Sequence, residues 1–219
     1  MSNMTLIRHG QANSAAQDDV SYDKLSDLGH QQARWLGDHL RHSGEHFQRV
    51  YCGTMQRHVD TAESMGVATY GEVQLDARLN EFPYFAMANA MQRQFDHPIP
   101  TSREGFAESI PKVLAAWEAG ELEGVGESHQ DFSQRVQSVI DDIASGQGPA
   151  LVVTSGGLIS TVLRHSLDLN VQGWAGMCLA IMNTSVHRWH RVLDRPLLTQ
   201  FNAIPHLETS ERQYAQTHL

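Results

Sequence analysis

Cysteine is scarce in this chain of 219 residues, where only Cys52 and Cys178 occur. Two cysteines build no disulfide framework, and neither stands in a metal-ligand spacing, so both are expected as small buried hydrophobes. Basic charge is also short. The 16 Lys and Arg face 25 Asp and Glu, for a formal net charge of -9, which argues against nucleic acid or an anionic membrane as the main partner. Long apolar runs are missing, so no membrane-spanning helix is expected. Met1-Ser2-Asn3 leads straight into the first apolar stretch without a basic segment or leader-like core, and a cytoplasmic location is the expectation. Internal repeats and low-complexity linkers are absent as well.

Histidine, by contrast, is plentiful, with 13 residues scattered along the chain. Only His39/His42 and His187/His190 are spaced i, i+3. The first pair falls at a predicted helix end and the second in a predicted strand, where such positions face opposite ways. Neither spacing makes a metal site, and no metal or other cofactor is expected. With 41% hydrophobic and 19% charged residues, the chain has the composition of an ordinary globular protein. Its length suits one α/β domain carrying an insertion.

Strand and helix signals alternate, the pattern of a sheet covered on both faces. Met4-Thr5-Leu6-Ile7 reads as a first strand, followed by a helix capped by Ser26 and reaching about His42. Phe47 to Cys52 reads as a second strand, with a helix from Thr54 to Met65, and Val73 to Leu75 as a short third. Leu151-Val152-Val153-Thr154 is the clearest strand, a continuous apolar run fit for the sheet centre, and Leu158 to Leu167 follows it as a helix. Thr184–Trp189 and Leu197–Phe201 are late, edge-ward strands, and the polar tail from about Glu208 is expected to be loose. Between the third strand and Leu151 no strand is evident. Two capping boxes there, Thr101-x-x-Glu104 and Ser128-x-x-Asp131, each precede apolar residues at helical spacing. The reading is a three-layer α/β/α sandwich with a mostly parallel central sheet. It forms a single domain over 1–219, with a helical insertion at about 82–147 roofing the site.

Four places carry chemistry. Arg8-His9-Gly10 ends the first strand, and loops beyond the carboxyl ends of strands are where open α/β sheets bind ligands. A cation beside an imidazole there suits an anion, with a nucleophile or base in place. Arg57 lies in the first turn of a predicted helix, where the dipole disfavours a cation unless an anion shares the site. The plainer alternative is an exposed arginine paired with Asp60. Ser155-Gly156-Gly157 follows the central strand, and its backbone N–H groups can approach an anion, although glycines needed only for a tight turn fit equally. Glu81, in Arg78-Leu79-Asn80-Glu81-Phe82-Pro83, is an acid beside aromatics, a setting that raises a carboxyl pKa toward general-acid use. Its alternative is a solvated loop residue.

Leu6-Ile7-Arg8-His9-Gly10-Gln11 resembles the signature of the histidine phosphatase superfamily, the phosphoglycerate mutase-like proteins. Further matches come in the family's order: Leu25 to Ala33, Arg57 to Ala62, Leu79 to Glu81, Gly126-Glu127-Ser128 and Asn183 to Val186. The resemblance implies a phosphomonoesterase acting on a small phosphorylated substrate through phosphohistidine. His9 would attack the phosphoryl group, Arg8 and Arg57 would hold its oxygens, and Glu81 would protonate the leaving oxygen and then activate water. Ser155 and Gly156 would complete the phosphate pocket, with Gln11 and Asn13 adding neutral hydrogen bonds. Oligomeric state is not readable.

One position departs from the pattern. The family usually has a second histidine where this chain has Ser155, which donates a hydrogen bond but carries no charge. Losing a charge-assisted donor costs about 1.5–3 kcal/mol, roughly ten- to a hundredfold in rate. His187, on the following strand, is the candidate to compensate. Two further readings follow from the family: a catalytically impaired member that binds a phospho-ligand, and a mutase. A serine hydrolase using Ser155, with His206 and Asp168 or Asp194, is a distant competitor, because Val153 stands where its motif wants glycine.

Overall fold

The computed structural model describes residues 3–13, 16, 18–192 and 195–218, with the backbone alone at 19 and 195. In chain order the elements are β1 (Met4–Arg8), α1 (Asp19–Tyr22), α2 (Asp27–His42), β2 (Arg49–Cys52), α3 (Gln56–Met65), β3 (Val73–Leu75), α4 (Tyr84–Phe95), α5 (Arg103–Glu118), α6 (His129–Ser145), β4 (Ala150–Thr154), α7 (Gly156–Leu167), α8 (Val171–Ala180), β5 (Val186–Val192) and β6 (Arg195–Ala203). Among the described residues the strands form one six-stranded sheet in the order β3-β2-β4-β1-β5-β6. The first four are mutually parallel, while β5 runs antiparallel to both β1 and β6.

Strand alternation divides the core between the two faces. Leu6 and Val152 point to one side, where they pack with Phe82, Trp117, Phe132, Leu158 and Trp174 from the α4–α8 side. Ile7, Leu151 and Val153 point to the other, against Leu36, Leu40 and Met65 of α2 and α3. Helices on both faces explain why β4 is apolar at consecutive positions rather than at alternate ones. Cys52 is a fully buried member of the second cluster. No helix among the described residues is long and apolar enough to cross a membrane.

Several elements differ from the sequence expectation. The helix after the first capping box starts one residue late, with Ser102 rather than Thr101 accepting from the Gly105 N–H. Helix α4 follows Pro83 without a side-chain cap, so nothing at its start announced it. Helix α8 is apolar around most of its circumference and holds two glycines, which removes the one-sided stripe that marks a surface helix. The tail past Glu208 is tied down: Gln32 donates to the Ala215 carbonyl and to Thr217, and Thr217 donates to Asn183. Asp194 lies outside the described residues.

The carboxyl ends of β1, β2 and β4 lie side by side. Arg8 is in register with Thr154, and Cys52 with Val153. The His9 N–H donates to the Thr154 carbonyl at 2.9 Å, and the Gly53 N–H to the Val153 carbonyl at 3.1 Å. Three chain segments therefore leave the sheet together, which is where an open α/β sheet gathers a site.

Candidate active site

Strand β1 hands Arg8 and His9 to this end of the sheet, and α3 brings Arg57 and His58 in its first turn. Ser155 is the N-cap residue of α7, and Glu81 comes from the loop before α4. A hydrogen bond ties the first two segments, with the Gly10 N–H donating to Thr61 on α3 at 3.0 Å. The candidates from four separated stretches of sequence converge.

His9 is 2% exposed. Its Nδ1 lies 2.7 Å from the Gly10 carbonyl oxygen, and that acceptor requires the proton to sit on Nδ1. Burial, then the guanidinium groups of Arg57 and Arg8, then His58, hold the ring well below the ordinary histidine pKa. His9 is thus neutral with a lone pair on Nε2, the form a nucleophile needs.

The two arginines are partly engaged by protein. Arg8 Nη1 donates to the carbonyls of Ile181 and His218, so the C-terminal segment reaches the site. Arg57, 4% exposed, pairs with Asp23 at 2.9 Å rather than with Asp60. Asp23 also accepts from the backbone N–H groups of Gln56 and Arg57, so it occupies the positive end of α3 as an anion would. The Nε atoms of Arg8 and Arg57 are buried without a protein partner. Buried unpartnered guanidinium donors are costly, and an anionic ligand relieves that cost.

Glu81 sits against the start of α7. Its Oε2 accepts from the Gly157 N–H at 2.9 Å and its Oε1 from the Phe82 N–H at 3.1 Å. Withdrawal from water raises the carboxyl pKa, while the Gly157 N–H, Arg57, the Phe82 N–H and Arg8 oppose the rise. Gly157 is required by this approach: a Cβ there would lie 2.2 Å from both Glu81 Oε1 and the Phe82 ring. Phe82 itself is core, packed on Trp117 and Phe132. Phe85, on α4, reaches the Tyr22 ring instead, and Tyr22 meets His9 edge-on and Arg57 face-on.

Gln11 and Asn13 both make hydrogen bonds within the connection. The Gln11 side-chain oxygen accepts from Ser26, the cap of α2, and the Asn13 amide donates to the Ser21 carbonyl. Both therefore shape the loop that presents Tyr22 and Asp23. Gly156 lies at the first turn of α7, next to Arg8 Nε.

The imidazole next to Ser155 is His58, which the sequence reading missed. His58 Nε2 and Ser155 Oγ are hydrogen-bonded at 2.5 Å, and both residues are 0% exposed. His187 does not reach in. Its Nδ1 accepts from the Asn202 N–H and its Nε2 is bonded to Ser185, so both ring nitrogens are engaged. Burial, with Arg8, pushes its pKa down to about 3. The hydrolase reading fails on geometry. His206 is bonded to Thr184, Asp168 ends α7 in the left-handed region, and Ser155 has unstrained extended backbone, φ -111 and ψ 163. Among the described residues no three His, Cys, Asp or Glu are grouped for a metal.

The arrangement is a neutral buried imidazole flanked by guanidinium groups, with a carboxyl of raised pKa nearby. The family model of the histidine phosphatase superfamily (branch 1) matches residues 4–204, and the chain belongs to that superfamily. No curated protein is significantly similar to it. The fold matches phosphoserine phosphatase from Entamoeba histolytica, solved with phosphoserine, at TM-score 0.68 and 22% identity over 94% of this chain and 100% of that one. A mycobacterial glucosyl-3-phosphoglycerate phosphatase matches at TM-score 0.66 and 22% identity, over 92% of this chain and 98% of the other. Phosphoglycerate mutase from Bacillus anthracis matches at 0.67 and 22%, over 94% of each.

Proposed function

We propose that the protein is a phosphomonoesterase that passes a phosphoryl group through His9 to water. The observation that carries this reading is that Arg57 and Arg8 lie close enough to both His9 and Glu81 to shift the proton affinity of each. Nucleophile, acid and phosphate-holding charge therefore share one site.

In the first step His9 Nε2 bonds to phosphorus as the bond to the leaving oxygen breaks. Glu81, whose carboxyl pKa is raised by its withdrawal from water, gives that oxygen its proton from its protonated form. Arg8 and Arg57 hold the equatorial oxygens, where charge is spread in the transition state, with Ser155 and the first turn of α7 at Gly156 beside them. In the second step the Glu81 carboxylate takes a proton from water. The water oxygen bonds to phosphorus, the phosphorus–nitrogen bond breaks, and phosphate leaves with His9 and Glu81 restored. Gln11 and Asn13 hold the loop in place.

The substrate is a small phosphorylated molecule, admitted between Tyr22 and the roof formed by the helical segment at about 82–147, to which Phe85 belongs. The solved relatives named above act on phosphoserine or on glucosyl-3-phosphoglycerate, and phosphorylated metabolites of that size form the first test panel. Phosphate release is measured for wild type and His9→Ala. Turnover of at least one ester that His9→Ala abolishes supports the reading. Equal inertness of both across a broad panel, with inorganic phosphate still bound, replaces it with a phospho-ligand binder.

A further inference from the structure

We propose that His58 is a positioning residue of the phosphoryl site, acting through Ser155: its Nε2–H donates to the serine oxygen, and the serine hydroxyl proton is thereby turned toward a phosphoryl oxygen. The inference rests on the phosphoryl-transfer reading above. Ser155 caps α7 in position only, since its side chain makes no capping hydrogen bond and is bonded to His58 instead. Its neighbours frame the site: Thr154 accepts from the His9 N–H, and Gly156 lies next to Arg8 Nε. Ser155 is fully buried, like the neighbouring His9 and Arg57, which are 2% and 4% exposed.

His58 is held there by design of the surrounding backbone. Its ring centroid is 5.7 Å from that of His9. A Cβ on Gly53 would lie 2.2 Å from His58 Nδ1, so the glycine at the end of β2 makes the room this ring occupies. His58 Nδ1 is buried with no protein partner. Burial and the adjacent Arg57 hold the ring well below the ordinary histidine pKa, which leaves one N–H to place. An unpartnered buried N–H is rarer in folded proteins than an under-satisfied acceptor, so the proton belongs on Nε2, pointing at Ser155. A hydroxyl whose oxygen already accepts has its own proton to donate, and hydrogen bonds in such a chain strengthen one another. The pocket regains an imidazole without placing it at residue 155.

The test is a set of variants assayed on an aryl phosphate, with inorganic phosphate binding followed by calorimetry. Ser155→Ala and His58→Ala each lower kcat/KM about tenfold, with the Kd for inorganic phosphate rising in step, and the double variant is no worse than His58→Ala. His58→Gln, whose amide reaches Ser155, recovers most of the loss, whereas the shorter His58→Asn does not. A buried pair that only fills space shows no such rescue. The inference is overturned by a folded His58→Ala with wild-type kinetics, by losses that multiply in the double variant, or by Asn serving as well as Gln. Should His58→Ala fail to fold, the Gln and Asn variants decide. Should wild type hydrolyse nothing, the functional reading fails separately, and coupled losses in phosphate affinity still decide this inference.

Discussion

His58 and His187 are both fully buried, both lie near an arginine, and both are held below the ordinary histidine pKa. What separates them is how their hydrogen bonds end. His187 stands on β5, where Asn202 and Ser185 use its two nitrogens, so it closes a structural link between β5 and β6. His58 stands in the first turn of α3, with one nitrogen on Ser155 and the other without a partner. Perturbed titration alone does not mark a functional histidine; an incomplete hydrogen-bond set at the end of three strands does.

The largest expected effect breaks the pair apart through charge. Arg57 faces His9, His58 and Glu81 but not His187, so Arg57→Ala is expected to lower kcat/KM by about 10²–10³. Steady-state kinetics on any accepted phosphomonoester check this. His187→Ala is expected to do the reverse: kcat/KM stays within about twofold, while the lost buried hydrogen bonds cost about 1–3 kcal/mol. At about 2–4 °C per kcal/mol for a chain of this size, calorimetry should read a clear fall in Tm.

Acidity sharpens the comparison. A histidine whose pKa is lower folded than unfolded binds fewer protons in the native state, so its contribution is complete above the unfolded value and lost as pH falls below it. For His187 the loss runs from 6.5 down toward about 3, at about 1.4 kcal/mol per pH unit. Tm should therefore drop on acidification below 6.5, and His187→Gln should flatten that slope. Activity responds at the other limb. Glu81, with its raised pKa, must be protonated for the first step, so the rate falls as pH rises past that value, and Glu81→Gln removes the alkaline limb along with most of the rate.

The smallest effect concerns the carboxylate already at Arg57. Asp23→Asn keeps an oxygen for only one of the Gln56 and Arg57 N–H groups, which bond to different carboxylate oxygens, and removes a negative charge beside the proposed phosphate position. Inorganic phosphate affinity should rise about fivefold, near 1 kcal/mol of relieved repulsion, with Tm lowered by the one hydrogen bond lost, about 1 kcal/mol. A titration that shows weaker binding would instead make Asp23 a support for Arg57.

The sheet was legible wherever apolar runs meet glycine. β1 and β4 each fall within one residue of expectation, because runs buried on both faces leave a continuous signal, and the short edge strand β3 falls at its expected residues. Ser26 and Ser128 cap the helices they were expected to cap. Four candidate positions, His9, Arg57, Glu81 and Ser155, were singled out by their places at strand ends and by family resemblance, and the fold gathers them at one end of the sheet. His58 was not, because a histidine beside Arg57 on a helix carries no local sign of its partner 97 residues away. Gly53, one residue past β2, was the available clue, since its missing side chain is what admits the ring. Asp23 was hidden for the same reason: its pairing with Arg57 spans 34 residues.

The central claim is that His9 carries the phosphoryl group. Glu81→Gln, which lacks the base needed for the second step, is mixed with an activated aryl phosphate, whose phenolate leaves without needing the acid of the first step, quenched at alkaline pH, and mapped by peptide mass spectrometry. The account predicts an acid-labile phosphoryl adduct on the peptide containing His9, absent from His9→Ala. Turnover that persists in His9→Ala, or an adduct on any other residue, would contradict it.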